Sequence, residues 1–308
     1  MGDGGAIEVT NLRKSYGSVH AVRGIDLTVS EGEVFALLGP NGAGKTTTVE
    51  ILEGFRSRDG GDVRVLGYDP AKGDRRLKEQ VGVVLQSTGV DPYLTVAETI
   101  DLFRGYYPRP RPLEEVIEVV GLKEKRDTRV TKLSGGQQRR LDVGISLAGD
   151  PKLLFLDEPT TGFDPGARRT AWEMVKNLSA LGKTVFLTTH YMDEAQYLAN
   201  RVAVIARGKI LAEGPPSSLG GRQTGATIIR FGLPPGSPGL PEEAGPRTKA
   251  SDGRYELSTR HPTRTLFHLT AWALRAGVEL DGLEIARPSL EDVYLELTKE
   301  ASSPGGSE

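Results

Sequence analysis

The sequence of 308 residues contains no cysteine. Disulfides, thiolate metal sites and cysteine nucleophiles are therefore excluded, and the composition fits a reducing compartment. The sequence also lacks any run of the about 18 apolar residues that a membrane-spanning helix needs. Its longer apolar runs, such as residues 34–38 and 153–156, have the length of buried strands. We therefore expect a soluble, cytosolic chain that does not itself span a membrane.

The sequence has little net charge. Its 39 basic residues nearly balance its 41 acidic residues, which leaves a formal charge of −2. No overall basic excess points to nucleic acid as a partner. The first residues also lack the basic stretch followed by an apolar stretch that marks a secretory signal peptide. With 37% hydrophobic and 26% charged residues, the chain is predicted to be globular, and its length predicts two domains.

Short β-like runs alternate with helical patterns over the first 215 residues, which is typical of an α/β domain. A helical region is predicted at about residues 87–150, where Thr95 and Glu98 have the spacing of a capping box. A further helix is predicted from about residue 166 to 181. The predicted strands are residues 7–9, 25–29, 34–38, 63–66, 81–85, 153–156, 185–189 and 201–205.

The composition changes at residues 214–216, which read Gly-Pro-Pro, and we place a domain boundary there. Residues 1–215 then form the first domain and residues 216–300 a small α+β domain, followed by a tail at 301–308 that is predicted to be disordered. The elements predicted in the second domain are strands at 228–231 and 255–257, a helix at 263–275, and a final helix with the apolar stripe Leu290, Val293, Tyr294 and Leu297.

Residues 39–46 fit the phosphate-binding pattern G-x-x-x-x-G-K-[ST], between a predicted strand and a predicted helix. Glycines let backbone N–H groups turn onto phosphate oxygens, and the helix N-terminus adds its positive end. Lys45 is predicted to reach the β- and γ-phosphates, and the Thr46 hydroxyl to bind Mg²⁺. The alternative is an ordinary glycine-rich turn. The candidate nucleotide-binding residues are Gly39, Pro40, Asn41, Gly42, Ala43, Gly44, Lys45, Thr46 and Thr47.

Two acidic residues follow an apolar strand at residues 153–156. A carboxylate at such a strand end can hold the Mg²⁺ of a bound nucleotide, and Asp157 is the candidate. Glu158 is then the candidate general base that polarises the attacking water. Taken alone, an Asp-Glu pair after a strand is more often a solvated strand end. The nearby phosphate-binding pattern favours the functional interpretation.

The string Leu133-Ser134-Gly135-Gly136-Gln137 is the most specific in the chain. As a purely structural feature it predicts a Gly-Gly hinge before a helix that starts near Gln137, with Ser134 as the N-cap. The two interpretations are compatible, because a helix N-terminus with free N–H groups is itself an anion site.

The combination of these motifs resembles the nucleotide-binding subunit of the ATP-binding cassette (ABC) transporter family, over about residues 7–215. The resemblance implies a P-loop NTPase core of the ABC type, with antiparallel β and helical subdomains, that binds ATP and Mg²⁺. It also implies that Tyr16 stacks on adenine, that Gln86 contacts Mg²⁺ and the attacking water, and that His190 contacts the γ-phosphate. Asp164 is expected at the dimer interface. The γ-phosphate held by the other subunit is expected to contact Ser134, Gly135, Gly136 and Gln137.

The structural alternatives for these single residues remain open at this point. A tyrosine such as Tyr16 usually packs, a strand-end glutamine such as Gln86 is usually solvated, and Asp164 before Pro165 has the position of a helix cap. The resemblance further implies a head-to-tail homodimer that holds two nucleotides, because Lys45 and Ser134 belong to different halves of each site.

The segment at residues 288–298 is similar to the C-terminal motif of the multidrug and daunorubicin-resistance exporter branch. That similarity implies a separate transmembrane permease subunit, a place on the cytoplasmic face of a bacterial membrane, and export of a drug, antibiotic or other hydrophobic compound. The alternatives are a soluble ABC-type ATPase that acts on ribosomes or nucleic acid, and a nucleotide sensor that does not hydrolyse. A single cassette disfavours the first, and the presence of Glu158 and His190 disfavours the second.

Overall fold

The computed structural model describes residues 5–84, 89–219, 227–241, 247–249, 254–286, 290 and 294. The chain divides into two compact units, Met1–Pro216 and Ser217–Glu308. Within the described residues, no helix is both long and apolar enough to cross a membrane.

The first unit is built from strands and helices in alternation. Its strands are β1 (Ile7–Tyr16), β2 (Val19–Val29), β3 (Val34–Leu38), β4 (Gly60–Val65), β5 (Val81–Val84), β6 (Leu153–Asp157), β7 (Thr184–Thr189), β8 (Arg201–Ala206) and β9 (Lys209–Gly214). Its α-helices are α1 (Lys45–Leu52), α2 (Arg75–Lys78), α3 (Val96–Arg104), α4 (Leu113–Val119), α5 (Gly135–Leu147), α6 (Pro165–Ala180) and α7 (Met192–Leu198), and short 3-10 helices lie at Pro70–Lys72, Lys123–Lys125 and Val130–Lys132.

The central sheet has the strand order β5-β6-β7-β3-β8-β9 and is parallel except for β9. Every residue of β3 and β7 is buried, as expected for parallel strands covered on both faces. Phe186 of β7 packs between the rings of Phe35 and Phe155 on the neighbouring strands. This packing fixes β3, β6 and β7 side by side, so the loops that follow their carboxyl ends share one edge of the sheet.

A second sheet of the first unit is antiparallel, with the order β2-β1-β4. The sequence predicted only residues 7–9 of β1, but the strand continues to Tyr16 through register shifts next to Asn11. Asn11 has a φ of 50°, and such a bulge interrupts the alternation on which strand prediction depends. The longer strand carries Tyr16 to the β1–β2 hairpin, where it pairs with Val19.

The helical region predicted at about residues 87–150 contains α3, α4 and α5. Thr95 and Glu98 form the predicted capping box of α3: the Thr95 hydroxyl accepts from the Glu98 N–H, and the Glu98 carboxylate accepts from the Thr95 N–H. Ser134 is the N-cap of α5, as predicted, but α5 begins at Gly135 and not near Gln137. Gly135 and Gly136 therefore belong to the first turn of the helix, and the predicted hinge before it is wrong. Strand β9 was not predicted. It pairs with β8 through a tight turn at Arg207 and Gly208, whose φ values of 51° and 76° suit a hairpin.

The second unit is a small α+β structure, as predicted. Its elements are β10 (Thr227–Gly232), β11 (Arg247–Lys249), β12 (Tyr255–Thr259), α8 (Pro262–Ala276) and β13 (Asp281–Ala286). The antiparallel sheet has the order β11-β12-β10-β13, and Ile229, Phe231, Leu257 and Leu269 form its core. The sequence did not predict β11 or β13. The predicted final helix is described only at Leu290 and Tyr294, and residues 301–308 lie outside the described residues.

Candidate functional site

The loop between β3 and α1 is wound tightly around the Lys45 side chain. Gly44 has a φ of 107°, and a Cβ there would lie 2.5 Å from the Ala21 carbonyl oxygen, so only glycine fits. Lys45 is 4% exposed, and its Nζ donates to the carbonyl oxygens of Gly39 at 2.8 Å and Pro40 at 3.2 Å. The loop thus presents a fixed ammonium group at the N-terminus of α1, where an anion is favoured.

A cavity of about 470 Å³ opens over this loop. Gly39 and Ala43 are buried and belong to the packing beneath the loop: a Cβ on Gly39 would lie 2.2 Å from the Ile205 carbonyl, and the Ala43 carbonyl accepts from Gly208 N–H. Pro40, which is exposed, is also absent from the lining. The lining residues are Tyr16, Ala21, Asn41, Gly42, Gly44, Lys45, Thr46, Thr47 and Glu158. The cavity therefore collects most of the candidate nucleotide-binding residues.

Tyr16 presents an aromatic ring at one side of this cavity. Its side chain is 41% exposed, so the ring is not buried in the core. The Arg56 guanidinium lies 5.3 Å and the Lys14 Nζ 5.6 Å from the ring centroid. These cation–π contacts hold the ring in place. An exposed and supported ring of this kind can stack on a flat base.

The two candidate acidic residues lie where β6 ends, and β7 holds both: Asp157 is the last residue of β6, and Glu158 begins the loop that follows. Glu158 has a φ of 45°, which is uncommon for a residue other than glycine. Its backbone N–H donates to the Thr188 carbonyl at 3.2 Å and to the Thr188 hydroxyl at 3.0 Å. The Thr188 hydroxyl in turn donates to the Asp157 carboxylate. Thr188 therefore sets the position of both acidic residues.

The Glu158 carboxylate lies among three polar groups. Lys45 Nζ is 3.2 Å from its Oε1, His190 Nδ1 is 3.4 Å from the same oxygen, and the Thr161 hydroxyl donates to Oε2 at 3.2 Å. Burial raises the pKa of Glu158, but the Lys45 ammonium and the neighbouring His190 outweigh it and hold the pKa below its ordinary value of 4.5. Glu158 is therefore ionised at neutral pH, as a general base must be.

The first three residues of the Ser-Gly-Gly-Gln string line a different cavity, of about 1050 Å³. Ser134, Gly135, Gly136, Asp164 and Glu158 are among its lining residues. Gln137 is absent from the lining because its side chain forms a capping box with Ser134, in which Oε1 accepts from the Ser134 N–H at 2.9 Å. The Asp164 carboxylate accepts from the N–H groups of Gly166 at 2.9 Å and Ala167 at 3.0 Å, so it is also the N-cap of α6.

The structure thus places many of the predicted residues in two cavities that share Glu158. Asp157 and His190 line neither cavity but contact residues beside Glu158 or Glu158 itself. Gln86 lies outside the described residues. The described part of the chain contains no cluster of three or more His, Cys, Asp or Glu side chains able to hold a metal ion by themselves. A nucleotide-bound Mg²⁺ needs no such cluster, because phosphate and water oxygens supply most of its ligands.

Sequence reasoning did not identify Thr188 or Arg139. Arg139 donates from Nη2 to the Asp157 carbonyl at 3.0 Å and thereby braces the end of β6. Its distance of 18 residues from Asp157 hides this contact from any local pattern. Thr188 could have been found from the sequence, since it is the next-to-last residue of a predicted strand. That strand lies beside β6, and Thr188 pairs directly with Asp157.

Comparison with known proteins decides the family. The family model described as "ABC transporter" matches residues 22–161, and the one described as "ABC transporter domain-containing protein-like, C-terminal domain" matches residues 227–289. The Nod factor export ATP-binding protein I of Rhizobium sp. (strain N33) is 41% identical over 304 residues, covering 95% of this chain and 97% of that protein. This chain belongs to the ABC transporter family. It is an ABC-type ATPase, and ATP is its substrate.

Further relatives and solved structures agree with this ABC ATPase assignment. The linearmycin resistance ATP-binding protein of Bacillus subtilis (strain 168) is 33% identical over 95% of this chain and 98% of that protein. An ABC cassette from Clostridium perfringens matches with a TM-score of 0.63 and 26% identity, over 70% of this chain and 90% of that one. A dimeric cassette in a post-hydrolysis state with ADP and Pi matches with a TM-score of 0.60 and 25% identity, over 68% and 98%.

Proposed function

We propose that this ABC ATPase hydrolyses ATP at a head-to-tail dimer interface and thereby drives export through a separate membrane subunit. The observation that carries the proposal is the division of the candidate residues between two cavities. Lys45 lines one cavity, and Ser134 and Gly135 line the other. Both sets are expected on one ATP, so each complete site takes its halves from two copies of the chain.

Within each site, the residues of the first cavity have distinct roles. Tyr16 stacks on the base, and the loop N–H groups with Lys45 hold the phosphates. Thr46, which is exposed at the cavity, and Asp157 would hold Mg²⁺, together with Gln86. The ion neutralises phosphate charge when bound. Glu158 takes the proton of the attacking water, and His190 binds the γ-phosphate on the same side.

The second copy completes the site. Ser134, Gly135 and Gly136 bring a helix N-terminus to the γ-phosphate held by the first copy, and Asp164 lies across the same interface. ATP therefore supplies much of the interaction that holds the dimer together, and hydrolysis releases it. The full-length similarity to proteins named for Nod factor export and for linearmycin resistance supports an exporter whose cargo is a drug, antibiotic or other hydrophobic compound.

We place the membrane subunit against the helical region at residues 87–133, at the cytoplasmic face of the membrane. Tyr93 and Tyr106, which flank α3, are 74% and 71% exposed, and Leu102 is 53% exposed. Large apolar side chains exposed in one segment favour a protein-binding surface. Because the chain has no cysteine, Tyr93→Cys and Tyr106→Cys each introduce one labelling site without background.

The test is crosslinking followed by transport. Tyr93→Cys and Tyr106→Cys should crosslink to the co-purified membrane subunit, whereas the control Phe267→Cys, exposed in α8 of the second unit, should not. Inside-out vesicles with both subunits should accumulate a hydrophobic drug when ATP is added, and Lys45→Ala should abolish this. Crosslinks from Phe267→Cys alone would refute the docking surface. ATPase stimulation by ribosomes or nucleic acid, and none by the membrane subunit, would favour the soluble alternative.

A further inference from the structure

One buried carboxyl group near the candidate site has no role in the function proposed above. Glu194 lies in the first turn of α7, four residues after His190, and it is 0% exposed. Its Oε1 accepts two hydrogen bonds, from the Thr160 hydroxyl at 2.7 Å and from the Trp172 indole N–H at 3.0 Å. A buried glutamate in contact with two other segments is unusual enough to need an explanation.

These two contacts join three segments of the first unit. Thr160, itself 1% exposed, belongs to the loop between β6 and α6 that carries Glu158 and begins α6 at Asp164. Trp172 belongs to α6. Glu194 belongs to α7, which directly follows the segment with His190. The Thr160–Glu194 hydrogen bond is therefore the direct side-chain link from the Glu158 loop to the helix that follows His190.

The neighbouring side-chain contacts also join α6 to α7 and to the segment that contains His190. The Arg168 guanidinium of α6 lies 4.2 Å from the ring centroid of Tyr191, the residue after His190, and 3.5 Å from the Asp193 carboxylate. The rings of Trp172 and Tyr197 stack at 5.0 Å between α6 and α7. These contacts pack α6 against α7 but do not reach the loop at residues 158–164. Within the described residues, the Thr160–Glu194 hydrogen bond extends this packing to that loop, and it adds to the contact between His190 and Glu158.

The chemistry of the Glu194 site suits a fixed acceptor. Burial raises the pKa of Glu194, and the Thr189 and Thr160 hydroxyls and the Trp172 indole oppose this in part. Its other oxygen, Oε2, is buried and forms no hydrogen bond within the part of the chain that the structure describes. A glutamine has the same shape and keeps a carbonyl oxygen for Thr160 and Trp172.

We propose that Glu194 is a positioning residue for ATP hydrolysis. By accepting the Thr160 hydrogen bond, it keeps the loop of Glu158 and the segment of His190 in one arrangement around the γ-phosphate. This inference rests on the proposed roles of Glu158 and His190. A general base acts only from hydrogen-bonding distance of its water. Loss of the Thr160–Glu194 bond therefore lowers the rate of the chemical step, whereas the phosphate contacts of Lys45 are kept.

Two variants separate positioning from simple packing. Thr160→Val and Trp172→Phe each remove one hydrogen-bond donor to the same Glu194 oxygen. Thr160→Val keeps the side-chain shape, whereas Trp172→Phe keeps an aromatic ring but makes the side chain smaller, so it is the larger change in packing. Of these two residues, Thr160 belongs to the loop that carries Glu158, and Trp172 does not. In the full chain, we expect Thr160→Val to lower kcat about tenfold, with the KM for ATP within about twofold of the parent. Trp172→Phe should leave kcat within about twofold, although both variants lower the melting temperature.

Glu194 itself supplies the second comparison. Glu194→Leu should lower kcat at least as much as Thr160→Val. The double variant should lose little more, since each substitution removes the same Thr160–Glu194 hydrogen bond. Glu194→Gln should retain most of the kcat of the parent. Equal losses of kcat in Thr160→Val and Trp172→Phe would overturn the inference and leave a structural role. Normal hydrolysis by Glu158→Gln would instead overturn the proposed base, and the inference with it.

Discussion

Replacing Glu158 by glutamine should separate ATP binding from ATP hydrolysis. The substitution keeps the size of the side chain and removes the base. Loss of a general base lowers a rate by about 10²–10⁴, which corresponds to about 3–5 kcal/mol of transition-state stabilisation. ATP binding should survive, because Lys45 keeps its bonds to the carbonyl oxygens of Gly39 and Pro40 and still points to the phosphates.

The cost of this substitution to folding is much smaller. Glu158 is 16% exposed and pairs with Lys45 at 3.2 Å and with His190 at 3.4 Å. Lys45 is buried, but its Nζ keeps its bonds to the Gly39 and Pro40 carbonyl oxygens, and a glutamine oxygen can still accept from it. Replacing a charge-assisted hydrogen bond by a neutral one costs about 1 kcal/mol, which is about 2–4 °C in the melting temperature of a unit of this size. The unusual backbone conformation of Glu158 is the same for glutamine. Unfolding therefore cannot account for a hundredfold loss of turnover.

The assay measures turnover and association together. Phosphate release gives kcat, and size-exclusion chromatography with ATP and Mg²⁺ gives the oligomeric state. Glu158→Gln should elute as an ATP-bound dimer, because in the proposed function hydrolysis opens the dimer. The control Lys45→Ala should neither hydrolyse ATP nor dimerise. Hydrolysis by Glu158→Gln at a rate close to that of the parent would refute the reasoning and direct attention to His190.

Three other single residues give testable expectations. A Cβ added at Gly135 would meet no other atom within 4 Å, so Gly135→Ala should leave the melting temperature almost unchanged, yet lose the ATP-bound dimer in chromatography. Gly44→Ala should destabilise the fold by about 1–3 kcal/mol in denaturant unfolding, because its Cβ would lie 2.5 Å from the Ala21 carbonyl; an unchanged midpoint would contradict this. Burial, with nearby carboxylates, raises the pKa of Glu53 from 4.5 to about 8. The folded chain then holds a proton that the unfolded chain has lost, and stability falls as the pH rises from about 4.5 to 8. Glu53→Gln should raise the melting temperature at about pH 8.5 and hardly change it at about pH 4.5; equal shifts at both would count against the raised pKa.

Local sequence was sufficient for much of the site. The phosphate-binding loop, the Ser134 cap and the Asp164 cap depend on residues a few positions apart, so their geometry follows from short patterns. Strands β3, β6, β7 and β8 were predicted within about a residue at each end, because buried parallel strands are short apolar runs. Strand β9 was missed, since Lys209–Gly214 is largely half-buried and shows neither an apolar run nor a clean alternation.

The chemical groups of the site follow from the sequence: a phosphate-binding loop, a strand-end Asp-Glu pair, a capped Gly-Gly helix start and a histidine after a strand. How these groups are shared and braced depends on the tertiary structure. It places the glycine-rich loop and the Gly-Gly helix start in two different cavities that share Glu158, joins Thr188 to Asp157 and Glu158, and brings Glu194 to Thr160 across 34 residues. Such contacts depend on the order of strands in the sheet and on the packing of α6 against α7. No local pattern encodes either of these, because the partners are neighbours in space and not along the chain.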